Sequence, residues 1–443
     1  MYTTILLPCF AILTLVHSFA ILPSSNKNIR TPTLLFSGDT KFQKYDHTLA
    51  ILTFPRNSNN QIANEAILMQ AMDRTLKRLS VVIRCQDGLA HRTPIEDLRR
   101  YVGEIYSLVW DCNQSLLRTD ELLDVIVYPQ SLPNAAPEQW LYHRPSLNCI
   151  CGADDMLGWY STGPSGNEYL TKNDQGLGGL ASHCAAVNDD RISRGLDPVD
   201  AFSVDLPRGA TALPHVTFLE DDSTTQRNAA MMMSKQEIID DTDDDEDDRD
   251  ESMGLLGGSR LDSNLYDSVA VGGTFDGIHY GHRKLLTLAV SSVAPNGGRL
   301  MIGVTSDEML QKKTLAKYIE PASQRVREVL DFVSNLAPGI KNRIRIKIIH
   351  DAFGPPAIED HFTALVLSHE TLSNGLALNE IRKQKGMQEL ALLCTRRTEA
   401  NAMSSTTLRR MRAEQDHDEE SVVNNDSTRS CQSSSSSAEV ASS

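Results

Sequence analysis

The sequence has few aromatic residues, and its cysteines are too scattered for a structural zinc site. Only 6% of the 443 residues are aromatic, and eight are cysteine. No C-x-x-C spacing is repeated, which excludes a zinc ribbon. The one close pair, Cys149 and Cys151, is more typical of ordinary buried thiols than of metal or redox chemistry. Reduced cysteines are therefore expected.

The chain also has no overall excess of positive charge, but most of its negative charge lies in one short stretch. The formal net charge is -15, and the stretch from Asp240 to Glu251 contributes -9 of it. Between Tyr266 and Arg412, by contrast, 20 lysines and arginines face 14 acids. That segment suits an anionic ligand.

The N-terminus resembles a targeting sequence in two parts. Residues 1–22 form a signal-like hydrophobic segment, although basic residues are missing at its start. Residues 23–47 form a transit-like leader, rich in Ser, Thr and Asn and poor in acids. Such a pair resembles the leader of proteins imported into complex algal plastids. The alternative is a membrane anchor that leaves the remainder in the cytosol.

The remaining length exceeds one usual domain and predicts two folded regions. Residues 48–219 are predicted to form a smaller α/β region, in which no catalytic constellation is visible, so a structural or interaction role is preferred. Residues 220–260 form an acidic linker, and residues 414–443 an acidic and serine-rich tail. Both have too few apolar residues to offset chain entropy and are expected to be disordered.

Residues 261–413 alternate between strand and helix patterns and are expected to form a self-sufficient catalytic domain. Five short apolar runs are separated by helical periodicities, one of which spans Ala322 to Leu336 with Val326, Val329, Leu330 and Val333 facing inward. This alternation predicts an α/β fold with a parallel five-stranded sheet and right-handed crossovers. Ligands of such sheets bind outside the carboxyl ends of the strands.

The stretch SVAVGGTFDGIHYGHRKLL, residues 268–286, carries the strongest chemical signal. A buried strand stops at Gly272 and Gly273, and two histidines, His279 and His282, flank Gly281 where a helix begins. Unpaired backbone N–H groups and the helix dipole favour an anion there. The two imidazoles can donate to one phosphate, although histidines at a helix start often serve only as caps.

The string GTFDGIHYGH resembles the nucleotidylyltransferase signature GTFDxxHxGH. Five segments in family order extend the resemblance to eukaryotic-type phosphopantetheine adenylyltransferase, the adenylyltransferase part of CoA synthase: VAVGGTFDGIHYGHRKLL, IGVTSDEMLQKK, DAFGPPAIED, ALVLSHETLSNGLALNEIRKQKG and MSSTTLRR. Residues 48–219 are more weakly similar to the non-catalytic region upstream of that domain. The resemblance implies a Rossmann-like nucleotidylyltransferase domain. No kinase phosphate loop, G-x-x-x-x-G-K-[ST], follows Arg412, so a single reaction step is expected.

The resemblance implies transfer of the adenylyl group of ATP to 4'-phosphopantetheine, giving dephospho-CoA and pyrophosphate. Mg²⁺ would enter with ATP, with no dedicated metal ligands on the protein. The expected partners are the two substrates and a separate dephospho-CoA kinase, with no nucleic acid and with membrane contact only through the N-terminal segment.

The resemblance also assigns roles to individual residues. The catalytic group comprises His282, His279 and Lys312. The nucleotide-binding group comprises Gly273, Thr274, Phe275, Asp276, Gly281, Lys313, Ser404, Ser405, Thr406 and Arg409. The acceptor-binding group comprises Thr274, Lys312, Asn379 and Arg382. His369 stands where the family usually has an acid, which weakens the assignment of Asn379 and Arg382.

Two other functions fit parts of this pattern. A cytidylyltransferase shares GTFDxxHxGH and has an RTEGIST-like segment, but the residues from Ala400 to Met403 break that spacing after Arg397-Thr398-Glu399. An inactive scaffold would show eroded motifs, whereas both phosphate-binding motifs are intact. Adenylyl transfer is therefore the preferred interpretation.

Overall fold

The computed structural model of the protein describes residues 43–85, 94–116, 123–156, 179–212, 264–395 and 404–414. The signal-like segment, most of the transit-like leader, the acidic linker and nearly all of the tail lie outside these residues. Within the described ranges, no helix is both long and apolar enough to cross a membrane.

The described residues belong to two compact units, neither of which is one continuous stretch. The first unit combines the described residues within Met1–Val82, Asp111–Val125 and Gln139–Leu213. The second combines the described residues within Ile83–Trp110, Ile126–Glu138 and Pro214–Ser443. Two stretches from the N-terminal half of the sequence therefore belong to the same unit as the stretch that carries the histidines.

The first sheet has five strands in the order β3-β2-β1-β4-β5. The pairs β1/β4 and β4/β5 run parallel. The strands are β1 (Tyr45–Thr53), β2 (Thr75–Arg84), β3 (Asp124–Pro129), β4 (Cys149–Gly152) and β5 (Asp200–Ser203). The helices of this half of the sequence are α1 (Ser58–Arg74), α2 (Ile95–Ser115), α3 (Glu138–Tyr142) and α4 (Leu180–Ser193).

The second sheet has five strands in the order β10-β9-β6-β7-β8, and every neighbouring pair is parallel. The strands are β6 (Ser268–Gly273), β7 (Arg299–Thr305), β8 (Ile344–Ile349), β9 (Ala364–Ser368) and β10 (Ala391–Thr395). The helices are α5 (Tyr280–Ser292), α6 (Asp307–Leu310), α7 (Ala322–Leu336), α8 (Leu372–Gln384) and α9 (405–414). Short 3₁₀ turns span Ala316–Tyr318, Pro338–Arg343, Pro355–Ala357 and His369–Thr371.

The strand order of the second sheet determines where a ligand can bind. The chain proceeds from β6 to β7 and β8 on one side, and then returns to the other side of β6 with β9 and β10. This reversal opens a crevice outside the carboxyl ends of β6 and β9. We call the edge at which these strands end the carboxyl edge, and the opposite one the amino edge.

The predicted α/β class and the parallel five-stranded sheet are confirmed. Helix α7 shows one local error, because Leu330 was expected to face inward and is 40% exposed. Its place on the inner face is taken by Phe332 and by Arg325, a charged residue that is fully buried. In the first sheet, β4 and β5 were not recognised, since four-residue strands are too short to show a periodicity.

Candidate active site

The turn after β6, residues 274–278, is held in an unusual backbone conformation, and we call it the site turn. Phe275 and Gly277 both have φ of 52°, in the left-handed region. The fully buried ring of Phe275 packs back on Gly273, where an added Cβ would lie 3.1 Å from a ring carbon. An added Cβ at Gly277 would lie 2.9 Å from Nη2 of Arg412. The glycines therefore let the turn fold tightly beneath helix α9.

His279 is the N-cap of helix α5 and also reaches helix α9. Its Nδ1 accepts the N–H of Gly281 at 3.1 Å, so the proton of the neutral ring lies on Nε2. Nε2 lies 3.2 Å from the hydroxyl oxygen of Ser405, to which it can donate. Burial, together with the neighbouring His282 and Arg283, holds the pKa of His279 well below its ordinary value. The first histidine of the motif thus joins both predicted phosphate-binding segments.

His282 keeps one ring nitrogen available. Its Nδ1 donates to the carbonyl of Gly277 at 3.4 Å, and no hydrogen bond of Nε2 is found among the described residues. Its ring stacks on that of His279 with the centroids 3.8 Å apart, so charging both rings would be unfavourable. Burial is the main cause that lowers the pKa of His282 to about 4, opposed by the Gly277 carbonyl and assisted by Lys313 and Arg283. The ring is therefore neutral at pH 7 until an anion arrives.

The structure distinguishes the two lysines that follow β7. Nζ of Lys313 donates to Oγ1 of Thr274 at 3.0 Å, at the start of the site turn. Partial desolvation lowers the pKa of Lys313, and the positive charge of Arg409 lowers it further. Both lysines are exposed, but no hydrogen bond or ion pair of the Lys312 ammonium is found among the described residues. The sequence-based preference for Lys312 is therefore corrected in favour of Lys313.

Helix α9 starts with three hydroxyl residues, as the sequence predicts. Oγ of Ser404 accepts the N–H of Thr407 at 3.2 Å and so caps the helix. Ser405 faces His279, and Oγ1 of Thr406 accepts from Nη2 of Arg409 at 3.0 Å. A capped helix start with hydroxyls beside two histidines is well suited to an anion.

Arg409 is buried yet not fully hydrogen-bonded. Only 3% of the residue is exposed, and Nη1 lies 3.5 Å from a carboxylate oxygen of Asp276. Its Nε is buried and finds no hydrogen-bond partner within the described part of the chain. A buried, charged N–H without a partner is costly, so this donor is available for a bound anion.

Asp276 was expected to bind the nucleotide, but the structure gives it a different role. Its carboxylate is fully buried. It accepts from Nη1 of Arg412 at 3.2 Å, from Arg409, and from the N–H of Glu320 at 3.3 Å. It therefore anchors helix α9 against the site turn.

Two arginines of the site were missed in the sequence. Arg325 is fully buried and donates to the carbonyl of Thr274 at 2.6 Å, to the carbonyl of Glu320 and to the carboxylate of Asp307. Arg412 binds Asp276 and, at 2.8 Å, the carboxylate of Glu320. For Arg325 a signal was present, since a charged residue stands four positions before Val329 on the inner face of α7.

Asn379 and Arg382 do not join the site. Asn379 exchanges two hydrogen bonds with the backbone of Leu390, which precedes β10. Arg382 is fully buried and donates to the carbonyls of Pro356, Glu359, Asp360, Phe362 and Gln388. Most of these carbonyls precede β9, at the amino edge of the parallel sheet. Both residues therefore hold loops together at the edge opposite the site, and their assignment to acceptor binding is corrected.

The residues of the site do not form a metal-binding cage. In the part of the chain that the structure describes, no group of three or more His, Cys, Asp or Glu side chains could hold a metal ion. The carboxylate of Asp276 in the site turn is already paired with Arg409 and Arg412. These residues do not fit a metal bound by protein ligands alone.

Comparison with known proteins agrees with this geometry. A family model described as Cytidylyltransferase-like matches residues 270–411. A phosphopantetheine adenylyltransferase of Methanopyrus kandleri is 36% identical over 128 residues, which cover 29% of this chain and 77% of that protein. This chain belongs to the same family of nucleotidyltransferases.

Two fungal proteins are also similar. The phosphopantetheine adenylyltransferase of Saccharomyces cerevisiae is 37% identical over 131 residues, covering 30% of this chain and 41% of that protein. An uncharacterized protein of Schizosaccharomyces pombe is 36% identical over 125 residues, covering 28% of this chain and 38% of that protein. The chain therefore spans about two fifths of the length of these fungal relatives.

We predict that Arg382→Met lowers the free energy of unfolding by about 2–4 kcal/mol, because it leaves several buried carbonyls without a donor. Urea unfolding of the full chain measures the change, with Lys383→Met, at the exposed neighbouring position, as the matched control. If Arg382→Met leaves the stability unchanged but weakens binding of 4'-phosphopantetheine, the expected role of Arg382 in acceptor binding would be supported instead.

Proposed function

We propose that the protein transfers the adenylyl group of ATP to 4'-phosphopantetheine, forming dephospho-CoA and pyrophosphate. The observation that carries this proposal is the meeting of three cationic or donor groups at one edge of the sheet: the histidine pair, Lys313 and the unpartnered Nε of Arg409. The names of the archaeal and yeast relatives support the choice of substrates. Dephospho-CoA would leave for a separate kinase.

The proposed chemistry is an attack of the acceptor phosphate on the α-phosphorus of ATP, with pyrophosphate as the leaving group. The acceptor is already ionised at neutral pH, so no general base is required and the protein needs to align and neutralise charge. Mg²⁺ would arrive as part of the Mg-ATP substrate, whose phosphates provide the oxygen ligands that it prefers.

Each cationic group has a place in this proposal. His282 Nε2 donates to the α-phosphate once it is protonated, and His279 remains the cap that fixes the helix start. Lys313, beside Thr274, neutralises the acceptor phosphate. Arg409, with Ser405 and Thr406 near it, holds the β- and γ-phosphates that leave as pyrophosphate.

We predict that the full chain releases pyrophosphate from ATP in the presence of 4'-phosphopantetheine at least tenfold faster than from CTP. CTP is the informative alternative substrate, because the matching family model is described as Cytidylyltransferase-like. A continuous pyrophosphate assay with each nucleotide measures the ratio. A preference for CTP would favour the cytidylyltransferase alternative, and a folded protein without turnover would favour a scaffold.

We predict that ATP binding takes up protons between about pH 5 and 7, and that His282→Ala abolishes the uptake. In the ligand-free protein, burial lowers the pKa of the His282 imidazole to about 4. A phosphate at Nε2 raises it, so the bound state holds more protons and the affinity increases as the pH falls. Calorimetry in buffers of different ionisation enthalpy measures the uptake. His361→Ala, an exposed histidine at the amino edge, is the control and should retain it; retained uptake in His282→Ala would assign the proton to another group.

We predict that Arg409→Ala weakens binding of pyrophosphate, while Lys313→Ala weakens binding of 4'-phosphopantetheine. Each loss should be about one to two orders of magnitude, since a charge-assisted hydrogen bond contributes about 1.5–3 kcal/mol. Calorimetry of each variant with each ligand measures the two effects separately. The exposed neighbours give matched controls in Arg410→Ala and Lys312→Ala. If Lys312→Ala weakens binding of 4'-phosphopantetheine more than Lys313→Ala does, the assignment of the two lysines is reversed.

A further inference from the structure

Helix α5, which begins with the histidine motif, packs against a helix from much earlier in the sequence. Residues 94–110 belong to the same compact unit as α5, and they contribute most of helix α2. Three contacts show the relative direction of the two helices, because residue numbers rise along α2 while they fall along α5. Arg99 contacts Ser291, Gly103 contacts Lys284, and Tyr106 contacts Tyr280. The two helices therefore run antiparallel along most of the length of α5.

The carboxyl end of α5 is capped by this upstream sequence. Arg99 is 5% exposed, and its guanidinium donates to the carbonyl and the hydroxyl of Ser291 at 2.8 and 3.2 Å. Asn134 donates to the carbonyls of Val290 and Val293 at 3.1 and 2.8 Å. The carbonyl of Val290 also accepts the N–H of Val293 at 3.3 Å, so Arg99 and Asn134 add to the hydrogen bonds at this helix end. A cation there also complements the helix dipole.

The loop that carries Asn134 is itself shaped for this contact. Asn134 has φ of 65°, a conformation that costs energy in residues other than glycine but is tolerated best by asparagine and aspartate. Its amide oxygen accepts from Arg343 at 3.0 Å. Two residues later, the N–H of Ala136 donates to the carbonyl of Leu336 at 2.8 Å, at the end of helix α7. One short loop thus holds the carboxyl ends of two helices that flank the second sheet.

At the amino end of α5, an aromatic pair lies directly beside the histidine motif. The rings of Tyr106 and Tyr280 are stacked with their centroids 6.3 Å apart, and both residues are almost fully buried. Tyr280 stands between His279 and Gly281. Between the two ends, an added Cβ at Gly103 would lie 2.7 Å from Cε of Lys284, so the flexible Lys284 side chain lies across the glycine.

We propose that α2 and the loop at residues 134–136 are a positioning part of the catalytic unit: they hold α5 at both ends and so fix His279 and His282. Tyr106 is then a positioning residue that acts through Tyr280, and Arg99 and Asn134 fix the position of α5 along its axis. On this view residues 261–413 are not sufficient for full activity, contrary to the expectation from sequence. The kinetic part of this inference rests on the proposed function, whereas the structural part does not.

The test uses the full chain and compares residues that are neighbours in α2. Arg99→Met should raise the hydrogen-exchange rates of the last turn of α5 by about tenfold or more, because it uncovers the helix end. Arg99→Lys should restore part of the protection. Arg100→Met is the matched control, since Arg100 is exposed and pairs with Asp97 on the same helix. Equal exchange in Arg99→Met and Arg100→Met would overturn the capping role.

An NMR titration of His282 without substrate distinguishes a role of α2 in positioning this histidine from a role in stability alone. In the intact protein its pKa is lowered to about 4, mainly by burial. Tyr106→Leu should move this value toward 6.5 and lower kcat by about tenfold or more with a smaller change in KM, since a displaced catalytic group slows the chemical step. Tyr106→Phe keeps the ring but loses the hydrogen bond from the N–H of Val127, so it should lose stability without moving the titration.

The outcomes distinguish the inference from the proposed function. A folded Tyr106→Leu variant with an unchanged His282 titration would overturn the inference, whatever its activity. A shifted titration in a protein that shows no adenylyl transfer even as wild type would retain the positioning of α5 and overturn the proposed function alone.

Discussion

The candidate site depends on one buried charge, the carboxylate of Asp276. It is fully buried between Arg409 and Arg412, which lie more than 130 residues later in the chain. An unpaired carboxylate in that position would be strongly unfavourable, so the site turn and helix α9 must come together whenever this segment folds. Every group to which phosphate binding is assigned in the proposed function lies on one of these two elements or is oriented by them.

The same constraint sets the electrostatics of the site. Asp276 neutralises much of the charge of the two arginines, yet it leaves Nε of Arg409 without a partner. Desolvation and the nearby charge of Arg409 lower the pKa of Lys313. Burial keeps the two stacked histidines neutral. The site thus avoids the full electrostatic cost of four adjacent cations. Under the proposed function, the negative charge of a bound polyphosphate would raise the pKa of His282.

Buried arginines serve two purposes in this unit, and their geometry separates them. Arg325 and Arg382 direct their donors at backbone carbonyls and, in Arg325, at Asp307, and so they lock loops in place. Arg409 has one donor, Nε, that finds no partner among the described residues, and this donor is the one proposed for a ligand. Arg99 caps a helix that begins at the histidines, which links residues from the N-terminal half of the sequence to the arrangement of the site. A truncation based on sequence boundaries alone would remove that link.

The sequence by itself determined the elements and the chemistry of the site. The apolar runs predicted the five strands of the second sheet, and GTFDGIHYGH with SSTT predicted two helix starts with histidine and hydroxyl caps, because glycine, histidine and hydroxyl residues at helix starts form local structure. Tertiary structure decided what depends on distant partners. It brought Lys313 rather than Lys312 to Thr274, used Asp276 as an anchor, and placed Arg382 at the amino edge of the sheet. It also packed α2 against α5. These outcomes follow from which buried charges and backbone groups meet across the fold, and neither spacing nor periodicity along the chain encodes such pairings.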